Sequence, residues 1–445
     1  MGTVYRRLTV AILLLVLLVS ACGNAPNPVP EEARTRATDE TITLTIWHNW
    51  VGMDGKAIAM RRILSEFRKT NPDIILLDEG MPTDALKSRL RAVAAADEMP
   101  DLFVMFPEIM TREFVAGGLV QPIDELLDRY PEWRSNFLPG AFDSFTVNGN
   151  IYTAPMNLAA TSIVYYNEGL FDQYEVKVPS TWDELEQAVQ IFNANGVIPI
   201  ALGNKANWVV QSTIFSTIAD RFTGTPWFQR AINQDGASFT DPEFIAALQF
   251  LQDFGKLNPF QQGYNLIDEN QMAQIYFDGR AAMFINGAWA TSNIVQNAPK
   301  EILDQTHVMI LPDIEGGKGE ARSASGVVGT GIGVSSKLID TRREAAFELV
   351  YALSGPAGQK ATLASSTLVS YQIEPDPALA HPLFIELHAL TSQIQFSPVY
   401  DNAMNAAATD AVNSGLQLLL QGEDPYVIAS RIQDAQAGRI GRGSQ

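Results

Sequence analysis

Between residues 41 and 105 the apolar period switches repeatedly, and few folds accommodate that order of periods. Thr41-Ile42-Thr43-Leu44-Thr45-Ile46-Trp47 alternates strictly, the mark of a strand with one buried face. Met60, Ile63, Leu64 and Phe67 then share one helical face until Asn71-Pro72 stops the helix. Asp73-Ile74-Ile75-Leu76-Leu77 reads as a strand covered on both faces, Leu86, Leu90 and Val93 as a second helical stripe, and Pro100-Asp101-Leu102-Phe103-Val104-Met105 as another buried strand. Strand, helix, strand, helix, strand predicts a parallel sheet with crossover helices, and such sheets bind ligands beyond the carboxyl ends of their strands. The loops carrying His48, Asn49 and Trp50, then Glu79 and Gly80, then Phe106, Pro107 and Glu108 are therefore the first places to look for a site.

The middle of the chain carries sharper local signals. Asn148-Gly149 supplies turn residues, and residues 151–155 and 162–166 have the β-branched and aromatic content of strands. Thr181 and Glu184 predict a reciprocal capping box at a helix start, with Trp182 in the core; Trp133, following Pro131, reads as part of a surface turn. Residues 197–202 form another short apolar strand, Asn207-Trp208 opens a helix, and Asp241-Pro242 begins one more. Residues 308–312 look like a return strand, and the C-terminal part, from residue 378 on, is patterned as helix.

Several strings in this region resemble one family. Gly149, Ile151, Tyr152 and Pro155, then Tyr165-Tyr166-Asn167 with Leu170-Phe171, then Pro179 and Thr181-Trp182-Asp183-Glu184-Leu185 are similar to the centre of bacterial extracellular solute-binding proteins, those that deliver sugars to ABC importers. A second match lies in Phe277-Asp278-Gly279-Arg280-Ala281-Ala282-Met283-Phe284-Ile285-Asn286-Gly287-Ala288-Trp289. The resemblance covers residues 41 to about 438 and implies a two-lobed α/β fold, each lobe a mostly parallel sheet flanked by helices, joined by a hinge. It implies lobe 1 at 41–150 plus 313–370 and lobe 2 at 151–312 plus 371–445, with ligand held between them and crossings near residues 148–152 and 311–316. By the same resemblance Trp208 and Trp289 match positions that stack on sugar, and Glu108 one where an acid accepts sugar hydroxyls. Many relatives carry tryptophan where this chain has Met105, so that platform is either absent here or replaced by Phe106. A pyranose has apolar C–H faces and a rim of hydroxyls, which is why aromatic rings beside amides and carboxylates suit it. The ligand-contact candidates are thus His48, Asn49, Trp50, Glu79, Glu108, Asn157, Trp208, Trp289, Gly329 and Thr330.

Composition narrows the function further. The formal net charge is −19, which repels phosphate backbones and argues against a nucleic-acid partner. Arg6 and Arg7 precede an apolar run of 12 residues, 8–19, and Leu18-Val19-Ser20-Ala21-Cys22 resembles the bacterial lipobox. That implies a signal peptide over 1–21, lipidation of Cys22, and a tether over 22–40 that holds the folded body at the outer face of the cytoplasmic membrane. Cys22 is the only cysteine, so no disulfide and no catalytic thiol is available. No G-x-S-x-G elbow and no H-E-x-x-H motif occurs, and His48, His307, His381 and His388 are scattered, so neither a serine hydrolase nor a metal site is expected. The run Gly326-Val327-Val328-Gly329-Thr330-Gly331-Ile332-Gly333 lacks the lysine of a nucleotide loop and misses the dinucleotide spacing; it reads as backbone approaching a ligand or the other lobe. The expectation is a non-enzymatic, cofactor-free binding protein that captures a sugar or oligosaccharide and hands it to ABC permease subunits. Its rivals are a secreted glycoside-acting enzyme and a ligand-presenting subunit of a membrane sensor.

Overall fold

A computed structural model describes residues 41–438; the expected signal peptide, Cys22 and tether lie outside the described residues. The alternating opening segment is β1, Ile42–His48, with Leu44, Ile46 and His48 buried on one face. Asp54 caps α1, Gly55–Thr70, by accepting from the amide of Ala57 at 2.9 Å, and Asn71 closes the helix on the carbonyl of Phe67. β2, Ile74–Gly80, runs parallel to β1 in the register Ile42 with Ile74 through His48 with Gly80. α2, Thr83–Ala95, buries Leu86 and Leu90, and β3, Leu102–Met105, is buried throughout. β2 is an edge strand with one open face, so Ile75 and Leu77 stay 47% and 54% exposed. The expectation of a strand covered on both sides fails there, because an unbroken apolar run does not reveal a missing neighbour.

After α3, Ile109–Ala116, the chain makes a hairpin of β4, Thr146–Val147, and β5, Asn150–Ile151. Its turn residues Asn148 and Gly149 both have positive φ, 52° and 82°, as a tight two-residue turn requires. Trp133, expected on a surface turn, is 1% exposed: it sits in the short helix Pro131–Ser135 with its indole N–H on the carbonyl of Ser354 at 2.9 Å and its ring edge against Tyr351.

Residues 153–156 still follow the first lobe, Thr153 Oγ1 donating to the carbonyl of Ile332 and the amide of Met156 to that of Thr330. The chain then passes across in β6, Leu158–Ala160, and enters the second sheet as β7, Ile163–Asn167. That sheet also contains β8, Ile198–Ala201, β9, Ala281–Asn286, and β10, Thr306–Ile310, in the order β10-β7-β9-β8. Only β8 and β9 are parallel; β7 is antiparallel to both β9 and β10. The expectation of a mostly parallel second sheet is therefore corrected. β7 arrives straight from the crossing strand instead of through a helical return, so no crossover helix imposes its direction. β9 is buried along its whole length, and the helix Trp182–Ala194, closed by the expected Thr181–Glu184 capping box, packs Leu185, Val189 and Phe192 under the sheet.

The return is governed by Arg221, on the helix Ser216–Thr223 and 1% exposed. Its guanidinium donates to the carbonyls of Leu311 at 2.8 Å, Ser323 at 3.0 Å and Pro312, while its own carbonyl accepts from the amides of Lys318 and Gly319. Residues 311–323 are thereby held beside the second sheet. The chain passes back in β11, Ser323–Val328, antiparallel to β6 and parallel to β13, Gln395–Ser397. β12, Gly331–Val334, completes the first sheet in the order β12-β3-β1-β2. β6, β11 and β13 make a third, three-stranded sheet in the order β13-β11-β6.

Candidate functional site

A cavity of about 370 Å³ opens between the lobes, beyond the carboxyl ends of β1 and β3. From the first lobe come Asn49, Trp50, Lys56, Thr83, Lys87 and Phe106; from the second, Trp208, Glu269, Asn286 and Trp289; the residues flanking β6 and β11 add Asn157, Thr161, Gly329 and Thr330. Asp401, on the short helix Tyr400–Ala403, closes one side.

Seven of the ten candidates line this space: Asn49, Trp50, Asn157, Trp208, Trp289, Gly329 and Thr330. Trp50 lies face to face with His48, ring centroids 4.7 Å apart and planes 14° from parallel, and its amide donates to His48 Nδ1 at 3.2 Å. His48 stands behind the wall, 2% exposed, with Nε2 3.3 Å from Asp78 Oδ2. Burial lowers its pKa against the pull of Asp78, so the ring is a neutral support for Trp50 at neutral pH. Asn49 is turned by its own bond, Nδ2 to Thr83 Oγ1 at 3.0 Å.

Glu79 and Glu108 are not among the lining residues. Glu79 pairs with Arg89, whose guanidinium lies 4.0 Å from the centre of the Trp47 ring on the outer side of the sheet. Glu108 has a left-handed φ of 59°, and burial pushes its carboxyl up, with Asp401 adding and Arg112 opposing.

Asn157 organises the floor. Its Oδ1 accepts from Lys56 Nζ at 3.1 Å and from the amide and hydroxyl of Thr330 at 3.2 Å each, and its carbonyl accepts from the Gly329 amide. A Cβ on Gly329 would lie 2.2 Å from Asn157 Nδ2, so only glycine permits this approach. Burial brings Lys56 down to about 8, with Asp54 opposing.

On the facing wall Trp208 and Trp289 form a corner, centroids 6.2 Å apart and planes at 54°. Trp289 Nε1 donates to Glu269 Oε1 at 3.4 Å. A Cβ on Gly287 would fall 2.0 Å from the Trp289 ring, which explains the glycine two residues before the tryptophan: the ring folds back over bare backbone. Burial raises the carboxyl of Glu269, with Asn286 and Trp289 opposing, and also that of Asp84, with Lys87 opposing.

Sequence reasoning missed Lys56, Lys87, Glu269 and Asp401. Glu269 and Lys56 sit in the first turns of helices, where a polar residue after a capping aspartate looks like ordinary helix chemistry. Among the described residues, no group of three or more His, Cys, Asp or Glu is placed to hold a metal ion, and no helix is long and apolar enough to cross a membrane.

Residues 54–360 match the family model of the bacterial extracellular solute-binding proteins. An uncharacterized ABC transporter extracellular-binding protein of Pyrococcus horikoshii is 23% identical over 289 residues, 64% of this chain and 63% of that one. The maltotriose-binding protein of Pyrococcus abyssi is 25% identical over 251 residues, 56% of this chain and 50% of the relative. The chain thus spans under two thirds of the length of these two relatives. A solved chain from work on xylan utilization by the thermophilic bacterium Caldanaerobius polysaccharolyticus superposes with a TM-score of 0.81 at 28% identity, over 88% of this chain and 99% of that one.

Proposed function

Because this chain belongs to the family of bacterial extracellular solute-binding proteins, we propose that it captures a sugar or short oligosaccharide between its lobes and delivers it to the permease of an ABC importer. The observation that carries this reading is the cavity itself: indole rings face it from both lobes, Trp50 on one side and Trp208 with Trp289 on the other, among amide and carboxylate groups. Rings supply the apolar platforms a pyranose needs, and Asn49, Asn157, Asn286 and Glu269 supply the acceptors and donors for its hydroxyl rim. Trp208, Trp289, Trp50, Asn49, Asn157, Gly329 and Thr330 are the contacts, with His48 supporting Trp50.

The mechanism is closure. A ligand that touches both lobes favours the closed form by the contacts it gains only there, and the permease reads that form. The work is done outside the cytoplasmic membrane, and Cys22 anchors the protein there through its lipid.

Thermal-shift screening of a carbohydrate panel, followed by calorimetry, tests the function. A ligand at 100 times its Kd adds about 2.7 kcal/mol to stability, which reads as a clear rise in melting temperature. Failure of every mono- and oligosaccharide to shift the melt, with amino acids or peptides shifting it instead, would overturn the carbohydrate assignment.

A further inference from the structure

The loop that brings Asn49 and Trp50 to the cleft hangs from two fixed points. Arg61 of α1 donates through Nη1 to the carbonyls of Trp50 at 2.6 Å and Gly52 at 2.9 Å. The other point is His48, whose Nδ1 accepts from the amide of Trp50 at 3.2 Å, the bond from a side chain to the amide two residues on that an Asx turn uses. Asn49 Oδ1 and Trp50 Nε1 are buried without a hydrogen-bond partner among the described residues, and both residues line the cavity. The loop thus carries one unspent acceptor and one unspent donor at a site suited to hydroxyls.

These bonds leave His48 a single protonation state. A main-chain N–H can only donate, so Nδ1 must present its lone pair to Trp50. Nε2 faces the Asp78 carboxylate at 3.3 Å and therefore carries the proton. A second proton has one place to go, Nδ1, where it would set N–H against N–H across 3.2 Å. The ring has little room to turn away, because Trp50 stacks on it and a Cβ on Gly80 of β2 would fall 2.9 Å from its Cε1. The charged groups facing it are Asp78 from β2 and Arg61 and Arg68 from α1. Burial, assisted by the two arginines and opposed by Asp78, holds the ring below its ordinary 6.5, so only acid beyond that value loads it. Resting on the reading above that this cleft takes a saccharide against Trp50, we propose that His48 is a positioning residue through which acid releases the ligand: the Trp50 loop keeps its binding shape only while Nδ1 is bare, and a proton taken there from solvent pushes the Trp50 amide, and the indole with it, out of place.

Two measurements test this. Calorimetry with maltotriose, xylotriose and chitotriose follows the Kd of each that binds between pH ~7.5 and ~4.5, on protein whose melting profile shows it still folded. One excluded proton weakens binding by up to about tenfold per pH unit, so the Kd should rise at least about tenfold over that range. His48→Asn keeps an acceptor for the Trp50 amide and loses the titrating ring, so its Kd should change less than about threefold. A level Kd in the parent would overturn the proposal, and so would a variant that weakens in acid as steeply as the parent, since the effect would then belong to the carboxylates of the cleft. Heteronuclear NMR of the imidazole nitrogens reads the ring without ligand: at pH ~7.5 Nδ1 should be bare and Nε2 protonated, and the Trp50 amide should shift with the midpoint of His48. A proton on Nδ1 at pH ~7.5, or a Trp50 amide indifferent to the titration of His48, would overturn the proposal whatever binds. Should no saccharide bind, the carbohydrate reading fails and the NMR result alone decides the switch.

Discussion

Lys56 is a cation kept where its charge is costly. Burial draws its pKa from an ordinary 10.5 to about 8, which means the unfolded chain holds the proton more tightly than the folded one. Stability therefore rises with pH between those two values, and the whole penalty is present below the lower one. Lys56→Met should be more stable than the parent by about 2 kcal/mol at pH ~7, and the gap should shrink by pH ~10; urea midpoints at the two pH values check it. A gap independent of pH would mean the lysine keeps its normal proton affinity. Trp289 belongs to the same scale. Its ring lies over Gly287 at the end of a fully buried strand, so Trp289→Ala should cost about 2 to 4 kcal/mol of ligand affinity, roughly 30- to 1000-fold in Kd. A variant that melts far lower without ligand yet binds sugar normally would instead identify a core residue. Trp289 was legible because glycine and tryptophan are informative letters wherever they stand. Asp401 was not, since one acid among 50 Asp and Glu residues becomes a site residue only when the fold carries it into a cleft.

At the scale of elements, the first lobe was readable because its period changes with every segment, while the second hid its strand directions. β-branched and aromatic content marks β7 as a strand and says nothing of whether its neighbours run with it or against it. The link between residue 311 and β11 is hard to read for a related reason: in sequence it looks like open loop, but Arg221 ties it down. Three main-chain carbonyls depend on that one guanidinium, and all would lose a buried donor in Arg221→Met. The expected loss is about 3 to 5 kcal/mol, read as a drop in the chemical-denaturation midpoint with unchanged m-value. A loss below about 1 kcal/mol would show that the segment holds its place without the arginine. Thr181→Ala, which removes a verified cap from an exposed helix start, should cost about 1 kcal/mol and serves as the scale for that measurement.

For the whole molecule, the proposed capture mechanism predicts a change of shape. Saturating ligand should lower the radius of gyration in small-angle scattering; equal radii with and without a tight ligand would remove closure from the mechanism. The proposed anchor is tested separately: Cys22→Ser should release the protein from the membrane fraction or leave it unprocessed, and detergent-phase partitioning equal to the parent's would sink the idea. The joint between the lobes also has a mechanical consequence. β6, β11 and β13 come from three distant parts of the sequence and are laced side by side by ladder hydrogen bonds. A single strand could swivel like a thread, whereas a ribbon three strands wide resists twisting and bends about one line, as a strip of spring steel does. In the proposed closure the jaws then meet in the same alignment at every stroke, so indoles on opposite walls can be matched to one ligand without any contact between them to set their aim.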